Sequence, residues 1–205
     1  MPKKNKVKFN ICNVHYALIT EGDNGAVTFG TPVAMPGAVS LKLDPNGEPE
    51  IFYADGVEYY VINNNQGYDG ELELAMIPEE FRVDVLKETA DSNNVLIENS
   101  NSETGHFALL FEFDGDIHKI RHVMYNCSAS RPTIESATNE ESKEVKTETL
   151  SLKARPLANG MVKAKTGDST TEATYNAWYE AVYQPSASGE DDQGDDEPDT
   201  NGVSG

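Results

Sequence analysis

His118 and His122 stand four residues apart, with Cys127 five further on, and imidazoles beside a thiolate are donor chemistry suited to zinc. On a strand the two histidines share a face but lie two pleats apart, too far to share one ion unless the backbone bends. Cys127 as a nucleophile activated by His122 is a thinner alternative, because no third residue orients the imidazole and no oxyanion loop accompanies it. Asp114, Gly115 and Asp116, and the Asn-rich run 63–69, offer oxygen ligands for calcium. They lack the spacing of a calcium-binding helix–loop–helix, and turn formation accounts for them. Glu71 and Glu73 could be a glycosidase pair, but carboxylates one pleat apart on the exposed side of a strand read as a solvated face. The chain has no phosphate-binding glycine loop, no dinucleotide fingerprint and no basic aromatic run. These residues assign no cofactor and no metal, and the chain is expected not to be an enzyme.

The elements that must position such residues are mostly strands. Leu72, Leu74 and Met76 alternate with Glu71, Glu73 and Ala75, the period of a half-buried strand. At Pro78 the period changes. Proline suits a first helical turn, Glu79 and Glu80 suit its positive dipole end, and Phe81, Val85 and Leu86 fall on one side of a helix ending near 91–94. Phe107, Leu109, Phe111 and Phe113 alternate as an aromatic core stripe. A turn at Asp114, Gly115 and Asp116 then returns the chain antiparallel, with Ile120 and Met124 on one side and Lys119 and Arg121 on the other.

Upstream, runs 16–20 and 26–29 form a hairpin. Val39, Leu41 and Leu43 alternate as a strand, which Asp44, Pro45, Asn46 and Gly47 end with turn chemistry. Runs 51–54 and 57–63 flank Asp55 and Gly56, a pair suited to a tight hairpin. A β-ribbon is therefore inserted between two main strands, over 45–67. Downstream, 90–105 reads as a long loop, 145–154 alternates, and Asn159-Gly160 offers a hairpin into 161–165. Tyr175, Trp178, Tyr179 and Val182 recur at helical spacing behind a Ser/Thr cluster suited to an N-cap, on a helix that covers a sheet face or docks on a neighbour.

The 205 residues fit one domain with a tail: a mobile Lys-rich arm over 1–13, a β domain over 14–183, and a disordered acidic tail over 184–205. A domain of about 180 residues buries roughly 70% of its unfolded surface, so it folds without a metal or a disulfide. Cys12 and Cys127 are expected as reduced, packed thiols. The basic start resembles that of a signal peptide, but no continuous apolar segment follows, so neither secretion nor membrane spanning is expected. The net charge is −19, with seven acids and no base in 190–199. A chain so acidic is a poor match for phosphate backbones, which are gripped by Lys and Arg.

Two runs carry a resemblance. Residues 69–87, with Asp69-Gly-Glu-Leu-Glu-Leu and Ile77-Pro-Glu-Glu-Phe-Arg-Val-Asp-Val-Leu, precede Phe107-Ala-Leu-Leu-Phe-Glu-Phe-Asp-Gly-Asp. In that order they resemble the major tail protein family of long-tailed, non-contractile bacteriophages, over most of the chain to about residue 183. The resemblance implies an antiparallel β-sandwich or barrel-like tail-tube fold, mainly β (α+β), with one central helix flanking the sheets and a C-terminal helix. It implies a homo-oligomer: hexameric rings stacked into a virion tail tube through which DNA passes without specific binding. Tape-measure and terminator or initiator proteins would be its partners, and the host cytoplasm its place of assembly.

On that analogy the inserted ribbon, with Pro45, Tyr53, Asp55, Gly56, Tyr59, Tyr60 and Gly67, is the candidate inter-ring contact. The Lys-rich arm and the 90–105 loop are secondary candidates. Glu71 and Glu73 are candidate lumen-facing acids, which would repel DNA phosphates. Leu72, Leu74, Phe81, Val85, Phe107, Leu109, Phe111 and Phe113 are the expected core. The acidic tail departs from a minimal tube subunit. The main alternative is a β-sandwich module that binds a cell-surface carbohydrate or protein, which would want exposed aromatics where this chain shows mostly periodic, core-like ones. A small hydrolase built on His122 and Cys127 is the third.

Overall fold

Apolar alternation makes Phe107–Gly115 the centre of the sheet, but side chains on both of its faces are buried. The computed structural model describes residues 4–22, 26–136, 138 and 145–185. The acidic tail beyond Pro185 lies outside the described residues. In chain order the strands begin with β1 (Lys8–Glu21), β2 (Val27–Phe29), β3 (Val33–Ala34), β4 (Ala38–Asn46), β5 (Glu50–Ala54), β6 (Val57–Ile62) and β7 (Gly67–Leu74). Helix α1 (Glu79–Asp84) follows, then β8 (Thr89–Ala90), β9 (Leu96–Ile97), β10 (Phe107–Gly115), β11 (Ile120–Ala129), β12 (Glu148–Ala154) and β13 (Lys163–Lys165). Helix α2 (Glu172–Asn176) runs into a 3-10 turn at Ala177–Tyr179.

One antiparallel sheet runs β2-β1-β10-β11-β12-β7-β4, with β3 beside β1 and β13 beside β11. It curls until β4 packs against β1, so the fold is mainly β and barrel-like, as expected. Its concave face holds the main core, including Leu72, Leu74, Phe107, Leu109 and Phe111. Helix α1 closes one end of this core. Phe81 meets Tyr16 and Phe107 edge to face, at 5.1 and 5.3 Å, and Val85 and Leu86 are buried beside it. The Tyr16 hydroxyl donates to Asp84 at 2.8 Å, and Glu148 accepts from Arg82 (2.8 Å) and from the Ile77 backbone (2.6 Å). Three strands are thereby tied to a helix too short to be stable alone.

The convex face of β1, β10 and β11 carries a second core, covered by Trp178 and Val182. Glu112 also points to that side and is 2% exposed. Lys119 (2.7 Å), Arg121 (3.2 Å) and the Tyr179 hydroxyl (3.4 Å) satisfy it. Arg121 in turn donates to the Tyr175 carbonyl and lies 3.8 Å over the Tyr175 ring. The C-terminal segment is latched to the sheet by one buried carboxylate and its paired cations.

Several expectations are corrected. Strand β1 begins at Lys8, inside the expected mobile arm, and Asn5 already binds the backbone of Ile117 and His118. A register shift between Ala38 and Ser40 turns Val39 outward to 50% exposure. Pro45 does not end β4: it pairs with Tyr68, tolerated because β4 is an edge strand. Met76 lies beyond the end of β7 and is exposed, while Ile77 is buried in its stead. Helix α1 stops at Asp84, well short of 91–94, and Lys87 takes a positive φ as the chain turns into β8. The 90–105 loop contains β9, paired with β8. Asp114 and Gly115 belong to β10, so the turn falls later than expected, and Phe113 is only half-buried. Asn159-Gly160 does reverse the chain, with Leu157 and Met161 hydrogen-bonded across the turn, but it does not join two paired strands. Strands β12 and β13 lie end to end along the same side of β11, and 155–162 is an excursion between them.

Truncating the Phe81 plug should cost about 3–5 kcal/mol of unfolding free energy, whereas Val39→Ala should stay within about 0.5 kcal/mol. Urea denaturation of Phe81→Ala and Val39→Ala measures both. Equal losses would contradict the assignment of inner and outer faces.

Candidate functional site

Between β4 and β7 the chain leaves the sheet as the ribbon β5–β6. Asp55 and Gly56 both take positive φ, +54° and +76°, which makes the primed two-residue turn that their types favour. Ile51 pairs with Val61 on one side and Phe52 with Tyr60 on the other, and the register slips after Phe52. Every residue of β5 and β6 except Ala54 is exposed: Phe52 57%, Tyr53 60%, Tyr59 70%, Tyr60 63%. Beside the buried aromatics of the core stripe, the chain therefore also carries these four exposed ones on the ribbon.

The neck of the ribbon is tight. Gly47 has φ +112°, and any side chain there would strike the Asn64 carbonyl, so the two legs pass in backbone contact. The Gln66 backbone donates to Asn46 at 2.9 Å. Of the residues expected in the ribbon, Pro45 and Gly67 belong to the main sheet, paired with Tyr68 and Asn46. Tyr53, Asp55, Gly56, Tyr59 and Tyr60 lie in the projecting part.

Glu71 and Glu73 point away from the main core, on the convex face of β4, β7 and β12. Glu71 lies opposite Lys42 and Ser151. Hydrogen bonds from Thr147 (2.6 Å) and Ser40 (2.8 Å) hold the Glu73 carboxyl below its usual range. Asp69 on the same face is held low by the Arg155 guanidinium at 2.6 Å. The face is polar and mixed in charge, with Lys42 and Lys153 among its acids.

The imagined metal donors are not brought together. His118 lies 3.8 Å from Asp168, His122 stacks on Phe111 with ring centroids 5.0 Å apart, and Cys127 is buried in the main core. No group of three metal-ligating side chains occurs among the described residues. Cys12 and Cys127 are free thiols, and burial pushes Cys127 up to about 12. No helix among the described residues is long and apolar enough to cross a membrane.

What sequence reasoning missed is an opening at the Phe113 end of the main core. A cavity of about 360 Å³ is lined there by Phe111, Phe113, His122, Tyr68, Leu41 and Leu43, with Lys8, Lys42 and Lys163 at its rim. Lys8 lies 4.7 Å over the Phe113 ring and Lys163 4.4 Å over that of Tyr68. No contiguous run encodes this basic aromatic cluster, since β1, β4, β7, β10, β11 and β13 each contribute to it. Compared with known proteins, the chain matches no family model and no curated protein.

Burial, with Lys165, Lys8 and Lys163 nearby, lowers the His122 imidazole to about 4. The unfolded chain, with a histidine near 6.5, therefore takes up this proton first, and stability on the order of 2 kcal/mol is lost as pH falls from about 6.5 to 4. Comparing unfolding free energies of the native chain and His122→Gln at pH 7 and pH 4.5 tests this. The variant should lose less stability over that interval, and parallel losses would contradict it.

Proposed function

We propose that this chain is a structural subunit that self-assembles through its ribbon, forming rings that stack into the tail tube of a bacteriophage. The observation that carries the reading is the ribbon itself. Two strands with apolar side chains on both faces stand in water, uncovered by their own domain. An isolated two-stranded hairpin is marginal, and exposed apolar surface of this kind marks an interaction site. A partner that covers it would supply the missing layer.

Two further features support assembly from copies of one chain. Strand β4 is an edge whose bulge presents Val39, and edges left unpaired in a subunit are covered by neighbours in an assembly. The polar convex face of β4, β7 and β12 is suited to line a wet channel, with Lys42, Lys153 and Arg155 lying against Glu71 and Asp69 and Glu73 beside them. Hexameric rings, passage of DNA, and tape-measure, terminator or initiator partners come from the resemblance of runs 69–87 and 107–116 to tail proteins.

Electron microscopy of the concentrated protein, paired with sedimentation, tests the reading. Rings or hollow tubes are expected, and replacing 48–65 by Gly-Gly should abolish them while shifting the melting temperature by no more than about 4 °C. Monomers alone at all concentrations, or tubes that persist without the ribbon, would contradict it.

A further inference from the structure

The ribbon and the opening at the Phe113 end of the core are complementary in kind. The projecting segment 47–66 carries Glu48, Glu50, Asp55 and Glu58 and no Lys or Arg. Between Ile51 and Ile62 its other side chains are apolar or aromatic. The opening is apolar and aromatic within and basic at its rim, in a chain of net charge −19. Lys42 is paired with Asp44 at 2.7 Å. Lys8 sits over the Phe113 ring, and Lys163 sits over the Tyr68 ring and donates to the Tyr68 hydroxyl, and no ion pair among the described residues engages either of them.

The two features also sit together in the fold. Helix α1 plugs the core at Phe107, and among the described residues nothing comparable closes it at Phe113. The ribbon leaves β4 just beyond Leu43 and rejoins β7 just before Tyr68, both of which line the opening. No ribbon residue lines it in the same chain. We propose that the opening is the receptor for the ribbon of a second copy, its aromatic side chains entering the cavity and its acids meeting Lys8 and Lys163.

Each copy then offers both halves of the contact. It engages one neighbour with its ribbon and another with its opening, a head-to-tail arrangement that repeats from ring to ring along a stack, in keeping with the ribbon's candidate inter-ring role. Entry of an aromatic anchor ringed by opposite charges has the anatomy of an interface hot spot. The inference rests on the proposed self-assembly and names the surface that receives the ribbon.

The test is photo-crosslinking between full-length chains. Tyr59 is replaced by benzoylphenylalanine in one preparation, which is mixed with isotopically heavy native chain. Cross-links to heavy peptides containing Lys8, Phe111, Phe113 or Lys163 are expected. Lys8→Glu with Lys163→Glu in the heavy chain should cut their yield at least about tenfold, by placing like charges across the contact. Both lysines are exposed and give up only surface contacts to Phe113 and Tyr68, so the variant should stay folded and melt slightly below the native chain. Adding Glu50→Lys and Glu58→Lys to the cross-linking chain should restore the yield.

Cross-links that land on other surfaces, or a yield indifferent to the charge reversals, would overturn the receptor assignment and leave self-assembly standing. Absence of cross-links from preparations that still form particles would do the same. Absence of both cross-links and particles would remove the receptor and the proposed function together.

Discussion

Burial of β10 on both faces is the constraint on which the rest of the structure depends. Phe107, Leu109 and Phe111 fill the concave side, and Ala108, Leu110 and Glu112 turn to the convex one. A strand so placed needs two covering layers, because neither set of side chains can be left in water. The curl of the sheet and α1 provide the first. The C-terminal segment provides the second, and the presence of Glu112 there decides how it is held. A buried carboxylate without partners would be prohibitive, so Lys119, Arg121 and Tyr179 converge on it, and Arg121 passes the anchorage on to Tyr175. This cluster orients the segment and is weak ground for stability by itself.

Much of this was legible in the sequence where a single local rule decides. Period-two alternation locates the concave faces of β7, β10 and β12, Asp55-Gly56 locates the ribbon turn, and Pro78 with its two glutamates locates the start of α1. The misreadings arise where tertiary pairing overrides the local signal. Asp44-Pro45-Asn46 has turn chemistry, yet β7 extends far enough to keep it as strand. Val39 continues an apolar alternation that a bulge reverses. The helical pattern after Asp84 is cut off by the positive φ of Lys87 and by β8 pairing with β9. The convex face of β10 was hard to see because Leu110 is its one large apolar side chain, between an alanine and a glutamate that do not announce a core.

The candidate site divides the same way. The ribbon could be read because both of its strands and its turn are contiguous. The basic aromatic opening could not, since six strands assemble it and its lysines are scattered from Lys8 to Lys163. Against a fold that covers both faces of its central strand, the ribbon stands out as the one long apolar element among the described residues left without a layer. That asymmetry is the physical ground for reading the protein as a subunit, and an open core end of opposite charge beside it is the matching vacancy.

Hydrogen–deuterium exchange of the full-length protein, run dilute and then under assembling concentrations, tests most directly whether a second copy covers the ribbon. In dilute solution the amides of β5 and β6 should exchange orders of magnitude faster than those of β10 and β11, as expected of a hairpin without a layer. On assembly they should become protected while β10 and β11 change little. Ribbon amides already protected in the dilute monomer, or still unprotected in the assembled state, would contradict the account.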